Sequence, residues 1–311
     1  MRLIFLGTPD FAVPSLDAVA RTHDVVSVIT QPDRPKGRSH ALAAAPVKVA
    51  ALLLHIPVYQ PERIRKPEAQ SHVAALRPEI MIVVGYGQII PQSVIDIAPR
   101  GIINVHASLL PKYRGAAPIQ WAIVNGETRT GVTTMQINAG LDTGDILLER
   151  DTEIGREETA LELGGRLAGM GAALLVETLD QLARGTITPE KQDDAHASFA
   201  PILKKEDGAI SWAQPAGSIH NLARGLLPWP GAYTHFRGQL LHVWRATVEP
   251  GATALVPGRV LPGAGFRVAC GNGSILQLLE VQLEGRKRMT AEAFANGHRL
   301  NENDILGELP H

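Results

Sequence analysis

The chain has 311 residues, of which 45% are hydrophobic and 20% charged. That is enough for two domains, and the balance excludes a disordered chain. Thirty basic against 31 acidic side chains give a net charge of −1, which excludes a general polyanion-coating protein but not local recognition of a nucleic acid.

From Glu206 onward acidic and basic residues are equal in number, so neither half is a basic tail. Cys270 is the single cysteine, so no internal disulfide can form and the fold needs no oxidising compartment. No apolar run reaches the roughly 18 residues of a membrane span. The apolar stretch at Leu3–Leu6 is too short for a signal-peptide core and predicts a buried strand. A cytoplasmic protein is expected. No long apolar stripe or heptad is evident, so a monomer is expected.

Leu3–Leu6 ends at the turn Gly7-Thr8-Pro9, after which Asp10 can cap a helix over Phe11–Arg21. Val25–Thr30, Ile80–Val84 and Ile102–Val105 are further short apolar runs, with helix-like segments at Pro46–His55 and Pro67–Leu76 between them. Strand alternating with helix predicts an α/β fold, a Rossmann-like, mostly parallel sheet with helices on both faces. Ligands of such sheets bind beyond the carboxyl ends of the strands.

A dinucleotide is the obvious ligand, and the glycines argue against it. The first turn holds one glycine, not G-x-G-x-x-G, and Gly85-Tyr86-Gly87 is followed by Ile90 where a third glycine would stand. No phosphate-binding G-x-x-x-x-G-K-[ST] occurs.

The informative strand is Ile102–Val105, continued by His106. Residues two apart share a face, so Asn104 and His106 point one way and Ile103 and Val105 the other. An amide donor beside an imidazole suits acyl transfer: one stabilises an oxyanion, the other moves a proton near neutral pH. The alternative is a strand-end Asn and a hydrogen-bonded His without chemistry. Thr133–Ile137 predicts another strand, followed by Asp142 bracketed between Gly140 and Gly144. A carboxylate in so tight a loop can orient a histidine, or can simply bond its own backbone.

Thr188–Lys204 is polar, contains Pro189 and Pro201, and predicts a linker. The expected division is residues 1–188, a linker at 189–205, and a second domain at 206–311. Pro215–Leu226 predicts a helix. Short strands follow at Ala232–Phe236, Leu240–Val248, Gly258–Val260, Gly265–Ala269 and Ser274–Val281, a pattern of small barrel or sandwich. Arg286-Lys287-Arg288 is the densest cationic cluster, a solvated turn or a contact for RNA phosphate, and Lys204-Lys205 presents the same choice. Cys270 is expected to be a small core residue. No H-E-x-x-H or C-x-x-C spacing occurs, so no metal is expected.

Taken together, Asn104-x-His106-x-Ser108-Leu109-Leu110-Pro111 and Leu141-Asp142-x-Gly144 resemble the signature of the folate-dependent formyltransferases. Thr8–Phe11, Gln31–Arg38 and Ser108–Gln120 resemble one branch, which formylates the α-amine of methionine on initiator tRNA. Trp212, Pro228-Trp229-Pro230 and Val243–Ala246 extend the resemblance over nearly the whole chain.

The resemblance implies that Asn104, His106 and Asp142 form the catalytic trio and that 10-formyltetrahydrofolate is the formyl donor, with no NAD. It implies that Ser108, Leu109, Leu110 and Pro111 contact the folate, while Tyr86, Gly87, Gln88, Ile89 and Ile90 wall its pteridine pocket. It also implies an oligonucleotide-binding-type (OB-like) barrel at the C-terminal end and a tRNA contact at Arg38. Around Arg38 the remaining cations are Arg34 and Lys36, because Ser39–Ala45 is nearly uncharged where some relatives carry lysines. Ala107 stands where some relatives have glycine. An amino-sugar formyltransferase and a formyltetrahydrofolate hydrolase share the trio and are the nearest alternatives. A non-catalytic RNA-binding module and a nicotinamide oxidoreductase are more distant ones.

Overall fold

A computed structural model describes residues 1–36 and 41–307. The chain divides into two compact units, one of residues 1–118, 129–152 and 164–200, the other of 119–128, 153–163 and 201–311.

The first unit is built on a seven-stranded sheet. Its strands run Ile146–Glu153, Arg129–Gln136, Ile102–His106, Ile80–Val84, Arg2–Gly7, Asp24–Ile29 and Val58–Tyr59 across the sheet. Five of them are parallel to their neighbours, from Ile102–His106 to Val58–Tyr59. Arg129–Gln136 joins Ile102–His106 antiparallel, with His106 opposite Thr133 and Asn104 opposite Met135.

The unbroken apolar runs follow from burial of both sheet faces. Along one strand Leu3 and Phe5 enter one cluster with Leu16, Val47, Leu175 and Leu179, which come from helices Val13–Ala20, Pro46–Leu53 and Ala160–Arg184. Ile4 and Leu6 enter the opposite cluster with Ile64, Val73, Val94 and Ile95. Helices therefore cover both faces, as the strand–helix alternation predicts.

Three local expectations change. Asp10 makes no capping bond but lies in a short 3-10 turn, and the α-helix begins at Val13 with Pro14 in its first turn, where a missing N–H costs nothing. The 25-residue helix Ala160–Arg184 is an addition to the expected elements. Its start is marked by a reciprocal cap: Glu162 donates its N–H to Thr159 Oγ1 at 3.3 Å, and Thr159 donates its N–H to Glu162 Oε2 at 2.9 Å. Residues 189–200, expected to be linker, are tied to the first unit. Phe199–Ala200 pairs in parallel with Arg114–Gly115, and Tyr113 donates its N–H to Ser198 Oγ at 2.9 Å.

The second unit holds a bent five-stranded antiparallel sheet of the OB-like type. Ala232–Phe236, Gln239–Glu249, Ile275–Leu283 and Phe266–Ala269 lie side by side, and Met289–Thr290 pairs with Ile275–Leu283. A register irregularity between Val243 and Ala246 bends the long strand, as bulges do. Helices Ala216–Gly225 and Ala291–His298 bring Ile219 and Phe294 to its core beside Trp212, Phe236 and Phe266. Gly258–Val260 makes only single bridges, Arg259 with Ile305 and Val260 with Val268. Gly258 has φ +89°, outside the extended region a strand requires.

Candidate functional site

The carboxyl ends of the parallel strands are fastened to one another. Thr8 Oγ1 and Gln31 Nε2 both donate to the carbonyl of Tyr86, at 3.0 and 3.2 Å. This holds the Gly85–Ile90 loop beside the turn after Gly7. On the next strand Ile103 and Val105 enter the core facing the long helix, so Asn104 and His106 project to the opposite face. Both are nearly buried, at 8% and 6% exposure. The Asn104 side-chain amide makes no hydrogen bond among the described residues, so its donors are free for a ligand.

His106 is held from two sides. Its Nε2 lies 2.9 Å from the carbonyl of Tyr113. A carbonyl only accepts, so the hydrogen sits on Nε2 and the Nδ1 lone pair is free in the neutral ring. Nδ1 lies 3.7 Å from Asp142 Oδ2. The same Oδ2 accepts the N–H of Gly115 at 2.8 Å. Asp142 has φ +50°, a left-handed conformation that Asp tolerates better than most residues. Asn104, His106 and Asp142 thus converge from a strand end and a separate loop.

Gln192, Arg114, Tyr113 and Gly115 complete the arrangement; the last three lie inside the Ser108–Gln120 string with no role read for them, and no motif points to Gln192. Gln192 Nε2 donates to the carbonyls of Asp142 and Gly144 at 2.9 and 2.7 Å. Its Oε1 accepts from Arg114 Nε and Nη2 at 3.0 and 2.7 Å. The buried Arg114 is neutralised by Asp194 at 2.8 Å. The contacts at 113–115 are made chiefly by main-chain atoms, whose partners only the fold supplies.

The Ser108–Pro111 turn leaves the same strand. Ser108 is buried, and its hydroxyl donates to the Lys112 carbonyl at 2.6 Å. Thr133 pins the turn, donating to the Ser108 carbonyl at 2.7 Å and accepting the Leu110 N–H at 3.2 Å. Leu110 is buried, and Leu109 and Pro111 are partly exposed. Among the loop residues 86–90, Tyr86 turns its ring into the core at 1% exposure, and burial raises its phenol above the ordinary range. Only its main chain faces the loop. Gln88 is engaged locally, accepting the Ile64 N–H at 2.7 Å. Gly87 is exposed, Ile90 is partly buried, and Ile89 is 92% exposed.

The expected RNA contacts fall on both units. Arg34 and Lys36 lie in a short strand paired with Ala41–Ala43, and Arg38 lies outside the described residues. Below this hairpin Asp33 is held by Lys48 and Gln60, at 2.5 and 2.8 Å, and the Lys48 bond depresses its carboxyl pKa. On the second unit Lys204, Lys205, Arg286, Lys287 and Arg288 are all exposed. Arg288 pairs with Glu280 and lies over the Trp244 ring, 5.3 Å from its centre. Next to Trp244, His242 stacks at 5.7 Å; burial and then the charge of Lys205 lower its pKa. Arg288 from one cationic cluster and, through its charge, Lys205 from the other thus both act on the His242–Trp244 pair. Cys270 is buried in the core, which pushes its thiol up to about 12. No group of three His, Cys, Asp or Glu placed to hold a metal is found among the described residues.

A strand-end Asn and His thus stand with a loop carboxylate on a mostly parallel sheet. Comparison with known proteins gives the family. The profile described as "Formyl transferase" matches residues 1–179, and that of "Formyl transferase, C-terminal domain" matches residues 202–299. The chain belongs to the formyl transferase family. It is 65% identical to the methionyl-tRNA formyltransferase of Solibacter usitatus over 99% of both chains. Identity to the enzyme of that name from Koribacter versatilis is 55%, again over 99% of both. Among solved structures, an N-formyltransferase from Helicobacter canadensis with folinic acid and dTDP-3-aminofucose superposes with a TM-score of 0.68. It is 20% identical and covers 89% of this chain and 98% of its own, a likeness of fold.

Proposed function

We propose that this protein transfers the formyl group of 10-formyltetrahydrofolate to the α-amine of methionine on initiator methionyl-tRNA, giving N-formylmethionyl-tRNA for translation initiation. The observation that carries this reading is the 65% identity, over 99% of both chains, to a methionyl-tRNA formyltransferase.

The amine nitrogen attacks the formyl carbon, and the former carbonyl oxygen becomes negative. Asn104, with its amide free, donates to that oxygen. A proton must leave the amine and reach N10 of the folate as the N10–carbon bond breaks. His106 Nδ1 is the available base, and its proton is then returned to N10, directly or through a water that Asp142 holds. The imidazolium formed in between is stabilised by the Asp142 carboxylate at 3.7 Å. No covalent enzyme intermediate is needed, because the amine is itself the nucleophile.

The folate is placed against Leu109, Leu110 and Pro111 and the 86–90 loop, where the exposed Ile89 offers apolar surface to a flat ring. Ser108 and Tyr86 act by shaping that backbone, since both side chains are buried. Residues 1–188 carry the chemistry, and 206–311 bind tRNA through Arg286, Lys287 and Arg288, joined by Lys204 and Lys205. Arg34, Lys36 and Arg38 serve the acceptor end. The protein acts as a cytoplasmic monomer; no helix among the described residues is long and apolar enough to cross a membrane.

The test is a formyl-transfer assay with purified protein, 10-formyltetrahydrofolate and charged initiator tRNA, beside elongator methionyl-tRNA and an amino-sugar acceptor. Transfer to initiator alone is expected. Transfer to the sugar, or release of formate without transfer, would replace this acceptor.

A further inference from the structure

Gln192 lies in a segment whose sequence reads as a connection, yet every hydrogen-bonding position of its side chain is used inside the first unit. Its oxygen takes two bonds from Arg114, and its nitrogen gives one each to the carbonyls of Asp142 and Gly144. The side chain is 7% exposed. Its orientation is fixed by chemistry, because a guanidinium only donates and a carbonyl only accepts. Turning the amide over would break all four bonds.

The two carbonyls belong to the turn that carries the carboxylate. Asp142 has φ +50°, and such a backbone persists only where its surroundings hold it. The other end of the grip is equally fixed. Arg114 is 4% exposed and reaches Asp194 at 2.8 Å. Its neighbours in sequence also serve the site. Tyr113 supplies the carbonyl for His106 Nε2, and Gly115 supplies the N–H for Asp142 Oδ2. One tripeptide therefore orients the imidazole, receives the carboxylate and anchors Gln192.

We propose that Gln192, held by Arg114, is a positioning residue that clamps the Asp142 turn and so sets the carboxylate beside His106. This rests on the reading of Asp142 as the partner of His106 in formyl transfer. Gln192 touches neither substrate. A misplacement on the order of 1 Å in such a site costs about 10²-fold in rate.

Gln192→Glu is the discriminating change. The carboxylate keeps the size and the bonds to Arg114, so the fold is retained, but it offers no donor to the two carbonyls and repels them. Gln192→Ala and Asp142→Ala accompany it, with the double variant Gln192→Glu/Asp142→Ala. In the full-length protein kcat should fall about 10²-fold with Gln192→Glu, KM for the folate staying within about twofold. In the Asp142→Ala background the same change should cost less than about twofold, because the carboxylate it positions is gone. Hydrogen exchange of the 138–145 amides should quicken in both Gln192 variants.

Equal losses in the two backgrounds, or an unchanged kcat, would overturn the positioning role. Unchanged exchange at 138–145 would overturn the clamp itself. Wild-type turnover by Asp142→Ala alone would instead remove Asp142 from the chemistry, and the exchange measurement would still decide whether Gln192 holds its turn.

Discussion

The imidazole of His106 donates from Nε2 to the main-chain carbonyl of Tyr113 at 2.9 Å, so the nitrogen left for chemistry is Nδ1, the one facing Asp142. The bond settles the tautomer through an atom that carries no side-chain identity. Nitrogen-15 NMR of the folded protein should accordingly find the neutral ring protonated at Nε2. His106→Ala should reduce kcat by about 10²–10⁴, the range for a lost general acid–base. Turnover above a tenth of wild type would remove that role.

Asn104 presents an unpartnered amide beside His106 on the same strand face. Asn104→Ala should slow kcat by about 10²–10³ while leaving folate KM close to wild type, since the oxyanion exists only at the transition state. A loss confined to KM would make Asn104 a ground-state contact.

Two glycines near Asp142 have no room for a side chain. A Cβ on Gly144 would stand 1.7 Å from the Gln136 carbonyl oxygen, and one on Gly115 2.6 Å from that of Ala200, with φ +123° besides. Neither obstacle is a flexible side chain. Gly144→Ala should push the Asp142 turn outward and cut kcat more than it lowers the unfolding midpoint. Gly115→Ala should do both, with about 1–3 kcal/mol lost from backbone strain before the clash is counted. Denaturant titrations beside kinetics separate the two.

Charge on the second unit should appear as salt dependence. Arg286 and Lys287 are exposed, whereas Arg288 is already engaged by Glu280 and Trp244. Removing either of the first two should lower kcat/KM for tRNA and flatten the plot of log affinity against log salt by about one for each phosphate no longer neutralised. Folate KM should not move. A salt slope identical to wild type in both variants would take these residues off the RNA.

Cys270 is a probe of folding and not of chemistry. Burial raises its thiol to about 12, well above the unfolded value, so the folded state binds the proton more tightly. Between those values the unfolded chain holds fewer protons than the folded one, and stability falls as pH rises. Iodoacetamide at pH 8 should label the native protein slowly, at the rate of unfolding, and the denatured protein at once. Fast native labelling would place the thiol outside the core.

The mostly parallel sheet and the shared face of Asn104 and His106 are legible in the sequence because each leaves a local trace. Apolar runs such as Leu3–Leu6 mark strands buried on both faces, and the alternation at Ile103, Asn104, Val105 and His106 marks which side chains leave the core. The Thr159–Glu162 cap is also written there, as a Thr three residues before a Glu, and is the signal that announces the long helix. Tyr86 shows the limit of position along the chain. Its place in the loop after a strand is readable, but the direction of its ring, into the core, is not.

Residue order is sufficient for the α/β class, the OB-like second unit, the family, and the residues able to donate, transfer a proton and hold charge. The α/β class rests on periodicity and the candidate roles on side-chain chemistry, both properties of short segments, whereas the family and the OB-like reading rest on a resemblance of motifs spread along the chain. Folding in three dimensions settles which histidine nitrogen is free, that Gln192 and Arg114 grip the Asp142 turn, and that residues 189–200 are tied to the first unit. Those outcomes rest on hydrogen bonds between segments far apart in the chain, many of them to main-chain carbonyls and amides. Every residue carries such groups, so nothing in the order of side chains marks which of them will meet.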